Sequence, residues 1–382
     1  MAGLLGSIAL APVVFTKARH LVNDALGRRD PIALSDGVTL RVLPFMATAY
    51  SPDGRTLAVW GDGGIELRDA ETGTVRNVLR FAGSSDRRST VREVDFAPDG
   101  STLAAVLNNE QTIQIWDTKT GTSRTVIKVP VTNLQNLLPL RVSDLVYSPD
   151  SRTIAATGDH LQLWDVATGA QRHRIDIAAR AAAFAPDGRT IAAAGHRQGG
   201  IWNVATGAQI HPLVPAEGWF DWTVRFTPDG RTVITDGNVL RAWDPTTGSL
   251  RWSTYGVNPV YAPDGNLLAV TDVDSVWLCD PASGRRLREL PGLTGLLVWG
   301  GAYTQVAEVV WAPDSRTLAV RHTGGQKSWN STPQVWDVET GTALQVLKGH
   351  TDDVDDLAYA PDGRTITTVS QDGTTRIWQA TP

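Results

Sequence analysis

One short motif recurs eight times along the chain, and no other feature restricts the fold so tightly. An aromatic and a small residue precede Pro-Asp, and Gly or Ser follows; the prolines are Pro52, Pro98, Pro149, Pro186, Pro228, Pro263, Pro313 and Pro361. They stand about 44 residues apart on average, the period of a four-stranded repeat unit. Such a unit cannot bury its apolar faces alone, so neighbouring repeats must stack. In each motif Pro presets φ at the second turn position, Asp satisfies local amides and Gly accepts positive φ, which makes a tight turn between two strands.

The flanking residues supply those strands. Short alternating apolar runs such as 91–96 and 354–359 lead into the turns, and runs such as 56–59 and 365–370 lead out of them. A third run ends on Trp-Asp or a variant: Trp116-Asp117, Trp164-Asp165, Trp202-Asn203, Trp243-Asp244, Trp336-Asp337 and Trp378-Gln379. Repeats one and six end instead on Arg68-Asp69 and Cys279-Asp280. In repeats one to seven a Thr-Gly or Ser-Gly turn then opens a fourth strand, so the expected fold class is all-β with four antiparallel strands per repeat.

The Trp-Asp endings, together with the turns, resemble the WD-repeat family over residues 36–380. The resemblance implies an eight-bladed β-propeller of four-stranded antiparallel blades. An open ring would leave strand edges exposed. The eighth repeat stops after its third strand near Trp378, while residues 38–43 read as a strand that no repeat owns. That N-terminal strand is expected to sit in the last blade and close the ring.

The propeller is therefore assigned to residues 36–382, after an N-terminal leader of residues 1–35. Apolar residues recur with helical spacing at Val14, Phe15, Ala18, Leu21, Val22, Ala25 and Leu26 and stop at Gly27, so an amphipathic helix is expected there, docked on the ring or kept for a partner. The apolar run before it has no preceding basic residue, as a secretory signal requires, and Pro12 interrupts it. A membrane anchor is the lesser alternative.

Composition narrows the function. A net charge of −5 and a pI near 5.8 argue against a nucleic-acid or anionic-membrane binder. Cys279 is the single cysteine, which rules out an intrachain disulfide and a cysteine zinc cage and fits a reducing cytoplasm. Arginine greatly outnumbers lysine, and Ala and Gly are abundant, a bias that points to a GC-rich bacterial genome. The seven histidines show no pair at metal-ligand spacing, and neither a nucleophile elbow nor a phosphate-binding glycine loop occurs. No catalytic, cofactor or metal residue is nominated. The expected function is a non-catalytic, monomeric scaffold for a protein or peptide partner. The alternative is a propeller enzyme, or a sensor or accessory domain of a larger bacterial signalling assembly.

Loop lengths indicate where the partner should bind. The turns between strands one and two and between strands three and four are short and nearly identical, whereas the loops of the opposite face vary at 83–90, 131–140, 211–220, 291–303 and 322–333. Variable loops on a rigid frame carry recognition. Aligning the first strands of the blades places a cationic arc at Arg92, Arg141 and Arg180 on that face, then an aromatic arc at Trp219, Phe220, Trp222 and Tyr255. An acidic arc at Asp353 and Asp355 follows. Aromatic and Arg anchors suit a partner with acidic and apolar groups, although Phe220 and Trp222 could instead seal neighbouring blades. The family's hydrogen-bonded tetrad is matched only in repeat eight, by His350, Ser370, Asp372 and Trp378, and its role is structural. The arginines after the turns (Arg55, Arg152, Arg189, Arg231, Arg316, Arg364) read as a solvated, locally paired face.

Overall fold

A computed structural model of the protein describes residues 39–43, 47–61, 64–81, 91–107, 112–129, 142–195, 198–214, 223–237, 239–272, 275–290, 305–323 and 332–380. They form eight four-stranded antiparallel sheets, and no helix occurs among them. Strands follow sequence order within blades one to seven. In blade eight the strand Thr39–Leu43 pairs with Thr375–Gln379, placing Thr39 opposite Trp378 and Leu43 opposite Thr375. The chain is thus an eight-bladed propeller whose ring is closed by an N-terminal strand. The leader and its expected helix over 14–26 lie outside the described residues.

Position within a blade dictates each strand's composition. The second strand has sheets on both faces, so it is largely apolar and buried, as in Thr102–Leu107, where all six residues are buried. The fourth strand is the outer edge and alternates, as in Gln171–Ile175, where Ile175 is buried and its neighbours face water.

Eight apolar clusters hold the ring, one at each junction between blades. The cluster of Ile65, Leu67 and Leu79 with Phe96, Leu103 and Trp116 joins blades one and two, and that of Leu57 and Val59 with Val369 and Ile377 joins eight back to one. In six junctions the later blade contributes its third-strand tryptophan: Trp116, Trp164, Trp202, Trp243, Trp336 or Trp378. Truncating a buried Trp typically costs about 3–5 kcal/mol, so these residues dominate the junctions.

A ring of turn-to-turn contacts and a set of rim hydrogen bonds reinforce the clusters. On the turn face each turn leans on the one before it: a methyl group on Gly54, whose φ is +69°, would lie 2.7 Å from Pro361 Cδ, across the closure. Where Ser replaces Gly, its hydroxyl accepts the previous turn's amide, Asp99 N–H to Ser151 Oγ at 3.0 Å and Asp264 N–H to Ser315 Oγ at 3.0 Å. Near the outer rim, the residue eight places after the third-strand Asp or Asn donates to a backbone carbonyl of the next blade. Asn77 reaches Thr118, Thr125 reaches Val166, His173 reaches Ala205, His211 reaches Thr246, Trp252 reaches Pro281, Arg288 reaches Glu339 and Gln345 reaches Gln379.

Removal of the strand at residues 39–43 should leave Thr375–Gln379 as an unpaired edge. The deletion variant is expected to melt lower and to form soluble aggregates on size-exclusion chromatography. An unchanged melting temperature with a monodisperse peak would refute the closing role.

Candidate functional site

Each blade presents the same frame, so only the differences between blades can carry recognition. The third-strand Asp accepts the amide of the following turn, as Asp117 does from Thr120 at 2.8 Å and Asp165 from Thr168 at 2.9 Å. Its second oxygen takes a guanidinium seven residues later, with Arg124 2.6 Å from Asp117, Arg172 2.5 Å from Asp165 and Arg251 2.6 Å from Asp244. The hydrogen bond from Arg172, with those from Thr168, lowers the Asp165 pKa to about 2. The turn Asp residues are occupied too: Asp53 accepts the Arg55 amide at 3.0 Å and the Ser51 hydroxyl at 2.6 Å. The carboxylates of this face are committed to holding turns, while the turn arginines extend into solvent, with Arg231 Nε 4.0 Å from Asp229.

In blade eight a polar chain crosses the sheet. The Trp378 indole donates to Thr368 Oγ1 at 2.8 Å, and Thr368 lies 2.7 Å from His350 Nε2. His350 Nδ1 stands 2.9 Å from Asp372 Oδ2, and the Thr374 hydroxyl donates to the other Asp372 oxygen at 2.6 Å. The hydroxyl in this chain belongs to Thr368 and not to Ser370, which corrects the expected membership. Both sit on the same face of the strand Thr365–Ser370, but Ser370, at its loop end, donates to the Asp352 carbonyl at 3.1 Å. Burial lowers the His350 pKa, outweighing the Asp372 contribution. Burial also works to raise Asp372, yet hydrogen bonds from Thr374, His350 and two amides hold it well below the usual carboxylate range. A neutral imidazole with its proton on Nδ1 satisfies every partner, so the contact is a hydrogen bond and not an ion pair.

The loop-rich face is uneven. Arg180 is exposed at the entry to blade four, with its amide bonded to Ala194 O at 2.8 Å. Tyr255, between blades five and six, is 75% exposed. Its carbonyl accepts Arg286 Nη2 at 3.2 Å, and the Arg286 guanidinium lies 4.6 Å from the Trp277 ring centre and 3.8 Å from Asp272. Sequence reasoning missed Arg286 and Trp277; the signal was a Trp two residues before the strand end in the one described repeat where that end is Cys. Asp353 and Asp355 are half-buried at the entry to blade eight, where Gln371 joins them through its amide to Asp353 O and its side chain to Asp355, both at 2.9 Å. Trp219, Phe220, Trp222 and Arg141, with the side chain of Arg92, lie outside the described residues. The described candidates therefore fall on blades four, six and eight, spread around the ring and not gathered in one pocket.

The family model described as WD domain, G-beta repeat matches residues 76–117 and 341–379, each running from one blade's fourth-strand region through the next blade's third strand. This chain contains WD40 repeats. Its structure resembles the crystal structure of the C-terminal WD40 domain of Sif2 with a TM-score of 0.71 at 14% identity, covering 91% of this chain and 99% of that one. At that identity the likeness concerns the WD40 propeller fold alone. Among curated proteins, Coronin-7 of Mus musculus is 38% identical over 52 residues, 14% of this chain and 6% of that protein. Nuclear distribution protein PAC1 of Arthroderma otae is 30% identical over 156 residues, 38% of this chain and 32% of that protein. The matched part of the WD40 propeller spans less than a third of either relative. Among the described residues no group of His, Cys, Asp and Glu is arranged to hold a metal ion, and no helix is long and apolar enough to cross a membrane.

Two buried imidazoles set an acid response. His322 is also held neutral, by burial and then by the charge of Arg321. In the unfolded chain a histidine takes up its proton near pH 6.5, but in the fold uptake of these two is postponed to lower pH. Their contribution is therefore whole above that value and is lost on acidification from about pH 7 towards 5, at no more than about 1.4 kcal/mol per pH unit each. His350→Gln is expected to flatten the fall of stability over this range in urea titrations. An identical slope in the variant would show that His350 ionises freely in the fold.

Proposed function

We propose that this WD40 propeller is a non-catalytic scaffold that receives a protein or peptide partner on its loop-rich face. The observation that supports this reading best is the asymmetry between faces. On the turn face every described Asp is occupied by amides or guanidinium groups of its own blade, and the eight turns are near copies. On the opposite face Tyr255 holds a large ring in solvent, and Arg180 is exposed two blades away. Rigid aromatics and arginines on one surface are the usual anchors of protein recognition, and an exposed aromatic is costly to keep without a use.

A partner that engages both residues must span the mouth of the ring, which favours a folded surface or an extended peptide over a small molecule. The acidic entry at Asp353 and Asp355 gives such a partner a defined orientation. The arginine bias supports a bacterial source and the single cysteine a cytoplasmic setting; the propeller is proposed to act as a monomer, with residues 1–35 as a separate docking leader.

The test begins with capture of a stoichiometric partner by the full chain and continues with variants of that complex. Tyr255→Ala, Arg180→Ala, Trp222→Ala and Phe220→Ala should each weaken binding by about 2 kcal/mol, roughly thirtyfold, with little change in melting. Arg231→Ala, on the turn face, should leave affinity unchanged. Equal affinity across all five would remove the site from this face. A large loss of melting temperature at Trp222 or Phe220, with affinity of the folded fraction intact, would assign those two residues to packing between blades.

A further inference from the structure

Six junctions of the ring bury a third-strand tryptophan, and two do not: Arg68 stands at that position in blade one and Cys279 in blade six. The two exceptions are held very differently. At the closure, between blades eight and one, the Tyr50 hydroxyl bonds Thr367, Gly54 packs against Pro361, and the first described strand, Thr39–Leu43, shares a sheet with the last, Thr375–Gln379.

The junction of blades five and six lacks the tyrosine–threonine bond and the shared sheet, and its turn contact is the weakest. Tyr147 and Tyr359 bond the threonine four places after the previous turn proline, at 3.2 and 3.3 Å. Tyr261 has Thr232 at that position, but Arg251 Nη1 already donates to the Thr232 oxygen at 2.8 Å, and the buried Tyr261 hydroxyl has no hydrogen-bond partner among the described residues. A methyl group on Gly265 would lie 4.0 Å from Pro228, the loosest of the six glycine-to-proline contacts between turns. The ladders are short, with Val224–Phe226 and Val233–Thr235 at three residues and Leu268–Thr271 and Val276–Cys279 at four. The chain enters blade six through Gly256 at φ +140° and Asn258 at +51°, and strand pairing is interrupted between Val257 and Val260.

What spans this junction near the ring's mouth is a carboxylate. Asp236, 1% exposed, accepts the Thr223 amide at 2.7 Å from its own blade and the Asn258 amide at 3.1 Å from the next. At the outer rim the Trp252 indole donates to Pro281 O at 3.2 Å, and Arg286 holds the Tyr255 carbonyl. Contacts at the rim with few ties at the centre make a hinge.

We propose that the ring opens at the junction of blades five and six, parting on the inner side about the rim contacts of Trp252 and Arg286. The inference rests on the packing alone and stands whether or not the loop-rich face binds a partner. Opening displaces the connection that carries Tyr255 and Val257, so a ligand seated there would act on the ring's closure.

The protein contains its own reporter. Cys279, the single cysteine of the chain, is 1% exposed inside this junction among Ile234, Leu240 and Val270, and burial pushes its thiol up to about 11. Labelling of the native chain with 5,5′-dithiobis(2-nitrobenzoate) is compared with that of a Cys279→Ala/Ala193→Cys variant, whose thiol lies in the tryptophan-closed junction of blades three and four. Cys279 should react at least tenfold faster, with a rate almost independent of low guanidinium concentrations, the mark of a local opening. Equal rates that both rise with the slope of global unfolding would overturn the proposal. Should the second variant fail to fold, hydrogen exchange on the unaltered chain decides: amides of 233–235 and 268–271 should exchange faster than those of 190–194, and equal protection would overturn it.

Discussion

A four-stranded sheet with apolar residues on both faces has no stable existence in water, and everything else in this molecule follows from that constraint. Each blade needs a neighbour on either side, so the blades can end their exposure only by forming a ring. The clusters that straddle the eight junctions are the physical content of that ring, and the third-strand tryptophans are their largest members. The outer strands, which face water on one side, are free to alternate in sequence, and the inner two are not.

Polar groups then fix the geometry that burial alone leaves loose. Turn aspartates hold their own amides, and the third-strand aspartates hold the next turn. The donor near each rim reaches across to a carbonyl that would otherwise face only water or the neighbouring blade. Such bonds are individually worth about 1 kcal/mol, less than a buried Trp, but they are directional and set the angle between successive sheets.

Much of this was legible in the sequence because turn chemistry is local. Pro-Asp-Gly and Trp-Asp declare their positions by residue type, and the surplus strand before the first repeat announced the closure. The rim donors were not legible, since Asn, Thr, His, Trp, Arg and Gln share only an N–H or O–H and a position eight places after an Asp or Asn. The sequence pattern pointed to Ser370 in the place that Thr368 holds because both alternate onto one face, and only the contacts of His350 and Trp378 separate them. At the candidate site, sequence placed Arg180, Tyr255, Asp353 and Asp355 on one face. The repeat count also put them at the entries to blades four, six and eight, because blade order in a ring follows chain order; what it could not give was their exposure and hydrogen-bond partners, which depend on neighbouring strands.

The strand Thr39–Leu43 also has a meaning in time. It leaves the ribosome before any complete blade, yet its partner, Thr375–Gln379, follows only after seven blades have been made. During synthesis it must therefore wait, an unpaired β-strand, while seven blades assemble behind it. Joining segments so far apart in sequence is slow, and unpaired strand edges invite association with other chains. The ring therefore cannot close before its eighth repeat has left the ribosome, and until then both strand edges stay open to other chains.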